Sequence, residues 1–136
     1  MKRLILALVV ILISTSTLHA SKFKWSNGTV TSDKTTKFYF DKGSVKRISN
    51  HIYYWSLGDY LKLGVDDDQD VRSVITHLRV DCDDPDLGYQ ILIFSAFRGT
   101  MGKGEIIFHS ADDADSEKRY DSKDSIAYST HEEVCN

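Results

Sequence analysis

The sequence predicts an α+β domain: an antiparallel β-sheet of about five or six strands, a C-terminal helix packed on one face, and one disulfide. Three features lead there. Short runs of aromatic and β-branched residues follow one another through compact turn signals, which favours antiparallel neighbours. The β pattern fades only from Ser122 onward, where apolar residues take helical spacing. An export leader and a single pair of cysteines, Cys82 and Cys135, point to an oxidising destination.

The leader comes first. Lys2 and Arg3 precede an unbroken apolar run over residues 4–13, and small and polar residues follow as far as Ala20. That is the pattern of a cleavable export signal over residues 1–20, cut between Ala20 and Ser21. Leu18 stands three residues before the cut, where a small residue is usual, so neighbouring cuts stay open. The run is shorter than the roughly 20 residues that span a bilayer, so an uncleaved anchor is the weaker alternative. Residues 21–136 then form a single domain with no integral membrane segment.

Within that domain, Phe23-Lys24-Trp25 opens a first strand and Asn27-Gly28 turns it. Residues 37–40 are a second, aromatic strand, and Asp41-Lys42-Gly43-Ser44 turns the chain again. Residues 45–48 and 51–57 pair as a hairpin around Ser49-Asn50. Three consecutive aromatics, Tyr53, Tyr54 and Trp55, cannot share a face, so either Tyr54 or its two neighbours lie opposite the rest. From Val71 to Cys82 the residues alternate. Val74, Leu78, Val80 and Cys82 are read as the buried parity, and Ser73, His77, Arg79 and Asp81 as the wet one. Asp83-Asp84-Pro85-Asp86 is a turn. Residues 89–97 are apolar on both parities, as in a central strand covered on both faces. A glycine-rich connection over residues 98–104 leads to a last strand at 105–109. Asp124 or Ser125 caps a helix running to about Val134, with Ile126, Thr130 and Val134 as its stripe. Glu132 and Glu133 sit at the unfavourable end of its dipole, so the helix needs the sheet and the Cys135 bridge to persist.

The candidate chemistry is sparse. The stretch Asp66-x-Asp68-x-Asp70 imitates the start of a calcium loop, but the sixth position is Val71 and the twelfth is His77, where Gly and Glu belong. A solvated loop is the preferred reading over a weak cation site at residues 66–70. The run Gly99-Thr100-Met101-Gly102-Lys103-Gly104 lacks the spacing of a phosphate loop and reads as a flexible strand connection. His51, His77, His109 and His131 lack zinc spacing and read as surface residues, so no metal or other cofactor is expected. No nucleophile elbow and no apolar carboxylate pair is visible, so the chain reads as a non-enzyme without catalytic residues. Its formal net charge is −3, and Lys2 and Arg3 belong to the leader, so the mature part is more acidic still. That excludes nucleic acid and anionic membrane as natural partners. The two cysteines most simply form a Cys82–Cys135 disulfide, with two free buried thiols as the alternative.

A set of residues in order carries a family resemblance: Trp25, Phe38-Tyr39-Phe40-Asp41 with Ser44-Val45, Tyr54-Trp55-Ser56-Leu57-x-Asp59-Tyr60, Val80-Asp81-Cys82, Met101-Gly102-x-Gly104 and Val134-Cys135. Together they resemble the surface-adhesin protein E family of Gram-negative bacteria, over nearly the whole mature chain. The family often places Pro-Gly-Ser before the last helix, where this chain has Ser122-Lys123-Asp124-Ser125. The resemblance implies a sheet with a helix packed on it, the Cys82–Cys135 link, and an exported protein in the periplasm or on the outer surface. It also implies a protein partner from the host, such as the matrix and serum proteins laminin and vitronectin. The alternative partner is a hydrolase such as lysozyme, inhibited in the periplasm by a protruding 98–104 connection. No ligand-binding residue transfers by motif.

The leader makes a direct prediction. Mass spectrometry of the mature N-terminus should find Ser21 first; a chain starting at Met1 would mean an uncleaved anchor.

Overall fold

Alternation along one long strand organises the molecule. In this computed structural model, which describes residues 23–61, 70–111 and 117–136, that strand is β4, His51–Tyr60. On one side it pairs along its length with β5, Ser73–Asp81, from His51 opposite Asp81 to Asp59 opposite Ser73. On the other side its first half pairs with β3, Lys46–Ile48, and its second half with β2, Thr36–Phe40. Beyond β2 lies β1, Thr29–Val30; beyond β5 lie β6, Tyr89–Phe97, and β7, Ile106–Ala111. All pairings are antiparallel, and the order is β1-β2-β4-β5-β6-β7 with β3 beside β4. The expected sheet is present, with seven strands among the described residues, two of them only two and three residues long.

Local chemistry sets the turns. Gly28 adopts φ +77°, and a Cβ there would strike the Tyr39 ring, so Asn27-Gly28 turns the chain into β1. Phe23-Lys24-Trp25 does not form the expected strand; Trp25 makes a single bridge to Asp41. Asp41 is buried and accepts from the Lys24 and Gly43 backbone N–H groups, so it closes the turn after β2. Residues 62–69, including Asp66 and Asp68, lie outside the described residues, as do Ala20 and Ser21.

The face of β4 that carries Ile52 and Tyr54 is the front. Leu78 and Val80 of β5 join them, and Tyr128 and Val134 of helix α1, Ile126–Cys135, cover them. Ser125 caps the helix by accepting from Tyr128 N–H at 3.0 Å. The stripe is not Ile126, Thr130 and Val134 as expected. Tyr128, His131 and Val134 are the buried positions, because a short helix lying on a sheet buries the turn-to-turn row with the largest rings. The helix ends at the disulfide: Cys82, just past β5, is joined to Cys135.

The back face departs from the expected alternation. Ser73, read as wet, has no exposed surface, and Leu57, Asp59 and Ile75 are buried beside it. The cause is the 98–104 connection, which folds back onto this end of the sheet rather than protruding or hanging free. Ser73 Oγ donates to the Gly99 carbonyl at 2.6 Å and accepts from Gly102 N–H, and Asp59 accepts from Met101 N–H. Gly102 lies so close to Ile75 that a Cβ would meet it at 2.3 Å. β6 is not covered on both faces either; apart from Ser95 and Ala96 its residues are half-buried, and Leu92 is an extra residue opposite the His77–Leu78 step.

The disulfide closes a 53-residue separation, for which loop entropy predicts a contribution of about 4 kcal/mol. The Cys82→Ser, Cys135→Ser double variant should lose a similar amount in urea unfolding, with helical circular dichroism lost first.

Candidate functional site

Among the described residues, two places bring chemistry-bearing side chains together: the seam between α1 and the front face, and the end of the back face that the 98–104 connection leaves uncovered.

The seam is a chain of polar groups in an apolar setting. Tyr54, 1 % exposed, places its hydroxyl 2.9 Å from His131 Nδ1. His131, also 1 % exposed, turns Nε2 toward Asp121 Oδ2 at 3.3 Å. That distance allows attraction, but the two atoms are not aligned as a hydrogen bond. Tyr89 donates from its hydroxyl to the other oxygen of Asp121 at 3.2 Å. The simplest proton arrangement puts the imidazole proton on Nε2, facing the carboxylate, and lets Nδ1 accept from Tyr54. Burial and the Asp121 charge push the Tyr54 phenol far up. The same causes, with the hydrogen bond to Asp121, hold Tyr89 at about 12. Both hydroxyls therefore stay protonated and serve as donors at neutral pH. His131 was expected at the surface; the structure corrects that. Its spacing of three from Tyr128 and from Val134 is the signal that could have placed it inside. Asp121 and Tyr89 carried no such signal, since their partners come from other elements. Beside this chain lies a cleft of about 260 Å³ between α1 and the sheet.

The open end of the back face carries an aromatic row. Trp25, Asp41, Trp55 and His77 stand in register on successive segments. The Phe23 ring stacks on Trp25 at 4.6 Å and tilts against Trp55 at 5.7 Å. Trp55 stacks on His77 at 4.6 Å, and Tyr53 leans on the same imidazole. Tyr54 thus lies inside while Tyr53 and Trp55 take the opposite face, as their alternation requires. His77 is half-buried rather than a free surface group, and burial lowers its pKa. Phe23, the start of the described chain, extends the row, which a strand reading of residues 23–25 did not foresee.

Elsewhere the groups read as structural. Ser95 Oγ and His109 Nδ1 are 2.8 Å apart, but Ser95 is buried, and no carboxylate bonds to His109 among the described residues. Among the same residues no three His, Cys, Asp or Glu side chains converge to hold a metal. Asp70, the last carboxylate of the acidic stretch, pairs with Arg98, which also pairs with Glu105. Lys118 bridges Asp81 and Asp84 after β5. No described helix is long and apolar enough to cross a membrane.

The comparison with known families bears on both places. The profile of surface-adhesin protein E matches residues 25–136. The chain belongs to the surface-adhesin protein E family. The match spans the aromatic row from Trp25, the whole sheet, the helix and both cysteines. Among solved structures, the selenomethionine form of protein E from Haemophilus influenzae is similar, with a TM-score of 0.51 and 13 % identity. The similarity covers 81 % of this chain and 86 % of that one. A second structure, protein E from non-typeable Haemophilus influenzae, has a TM-score of 0.48 at 14 % identity, covering 81 % and 76 %. At 13 % identity the first of these structures speaks for the shared fold alone. No curated protein matches.

The seam generates a stability prediction. Tyr54→Phe removes the hydroxyl bonded to His131 Nδ1 and leaves that buried nitrogen without a partner among the described residues, which should cost about 1–3 kcal/mol in chemical denaturation. A change below a few tenths would mean that water replaces the bond.

Proposed function

We propose that this member of the surface-adhesin protein E family is an exported, non-catalytic binding protein. In this reading the leader is cut between Ala20 and Ser21, and residues 21–136 are displayed on the outer surface of a Gram-negative bacterium. The open end of the back face then holds a host matrix or serum protein. The observation that carries the reading is the row of Phe23, Trp25, Trp55 and His77, stacked on one another and only half-buried. Tryptophan and tyrosine supply large contact area at low entropic cost and are the residue types on which protein interfaces most often depend. The rings are held by the sheet and by one another, so little ordering remains to oppose binding. Family membership supports surface adhesion as the general role.

The alternative, inhibition of a periplasmic hydrolase, rested on a protruding 98–104 connection. That connection is bonded to Asp59 and Ser73 on the sheet, and the inhibitor reading loses its probe for a cleft.

Two measurements test the proposal. Protease shaving of intact cells should remove the domain, whereas protection until the outer membrane is opened would argue against adhesion. Trp55→Ala should weaken binding to immobilised laminin or vitronectin at least tenfold, about 1.4 kcal/mol, with the unfolding midpoint recorded as a control. Unchanged binding would move the contact surface elsewhere.

A further inference from the structure

We propose that the cleft between α1 and the front of the sheet is a binding site for a small neutral aromatic molecule carrying one hydroxyl group. It lies on the opposite face from the aromatic row and does not depend on the function proposed above.

The hollow arises from where small residues fall. Ser56 and Thr76 are direct cross-strand partners at the middle of β4 and β5, and Gly58 follows on the same face. Facing them from the helix are Ala127 and Thr130. Large apolar residues normally fill the helix-facing middle of a sheet, because interiors pack near crystal density. Here the small residues leave a space that Phe38, Leu78, Tyr89 and Ile91 line without filling. The resulting space is about 260 Å³. An apolar cavity of about 150 Å³ suffices for benzene, so this one takes a single ring with a substituent.

The polar groups restrict the ligand further. The Ser56 and Thr76 hydroxyls are 2.6 Å apart. One donates to the other, which leaves one hydroxyl proton and several lone pairs without a protein partner among the described residues. That suits a single hydroxyl on the ligand, which both donates and accepts. Asp121 lines the same cleft, and its only ion-pair partner among the described residues is His131. A carboxylate ligand would meet that charge across a medium of low dielectric and be rejected. Tyr89 bonds to one oxygen of Asp121, and the other, which has no hydrogen bond, is buried beside His131 and closed to solvent, so a cation in the cleft gains no accessible partner. A neutral ligand remains.

The test is a titration of the isotope-labelled mature domain, followed by amide NMR, with 4-methylphenol, toluene and 4-methylbenzoate as probes. The expected result is saturable shifts at Gly58, Thr76, Ala127 and Thr130 with 4-methylphenol, half-saturating near or below about 1 mM. Toluene should bind several-fold more weakly and 4-methylbenzoate at least tenfold more weakly. Ala127→Leu should fill the space and abolish the shifts. Thr76→Val, nearly isosteric, should bring 4-methylphenol down to the affinity of toluene; it keeps the proposal testable if Ala127→Leu does not fold. Shifts that fail to saturate, scatter over the surface, or survive Ala127→Leu would overturn the site. So would a folded Ala127→Leu domain of raised stability whose parent binds none of the probes, since the hollow would then be a packing vacancy. Equal binding of 4-methylbenzoate would overturn the neutral class.

Discussion

The docking of the C-terminal helix on β4 is the constraint on which the rest of the molecule depends. Ten residues of helix with two glutamates near the wrong end of the dipole do not hold together alone. They are fixed at three points: the Ser125 cap at the start, the Tyr54–His131 hydrogen bond in the middle, and the bridge to Cys82 at the end. The middle point matters most for geometry. It ties the helix to the centre of the sheet and, through Asp121 and Tyr89, to the segment that enters the helix. A buried polar chain of this kind is worth little more than its apolar replacement in energy, but it admits few alternative registers.

Because β4 alternates, fixing Tyr54 on the front sends Tyr53 and Trp55 to the back. The helix covers one face only, so the back face must be covered by something else or left open. The 98–104 connection covers one end of it, over Ser73 and Ile75, and the aromatic row occupies the other. The binding face proposed here is therefore a consequence of the same pairing that builds the core. The front face is also imperfectly filled, since a helix of this length and small-residue content leaves the hollow above Ser56 and Thr76.

Several residues show why parts of the molecule could not be read in advance. Ser73 has the composition of a solvated strand position, and its burial comes from a turn more than twenty residues later in the chain. The glycines at 99, 102 and 104 look like flexibility, yet Gly102 is there to let backbone approach Ile75. His131 looks like a surface histidine because its partners, Tyr54 and Asp121, reach it from other elements.

The sequence by itself pointed to the longer strands, their antiparallel pairing, the turn at Asn27-Gly28, a terminal helix capped at Asp124 or Ser125, and a bridge as the simplest state of the two cysteines. It also carried the family, through short motifs in a fixed order. These depend on neighbours within a few residues or on the simplest pairing of two like groups. Only the tertiary structure decided which helical row faces inward, that the glycine-rich connection lies down on the sheet, and that Phe23 stacks with Trp25 against Trp55. Only it opened the cleft. Each of those outcomes is set by contacts between segments far apart in the chain, and periodicity carries no information about which distant surface a face will meet.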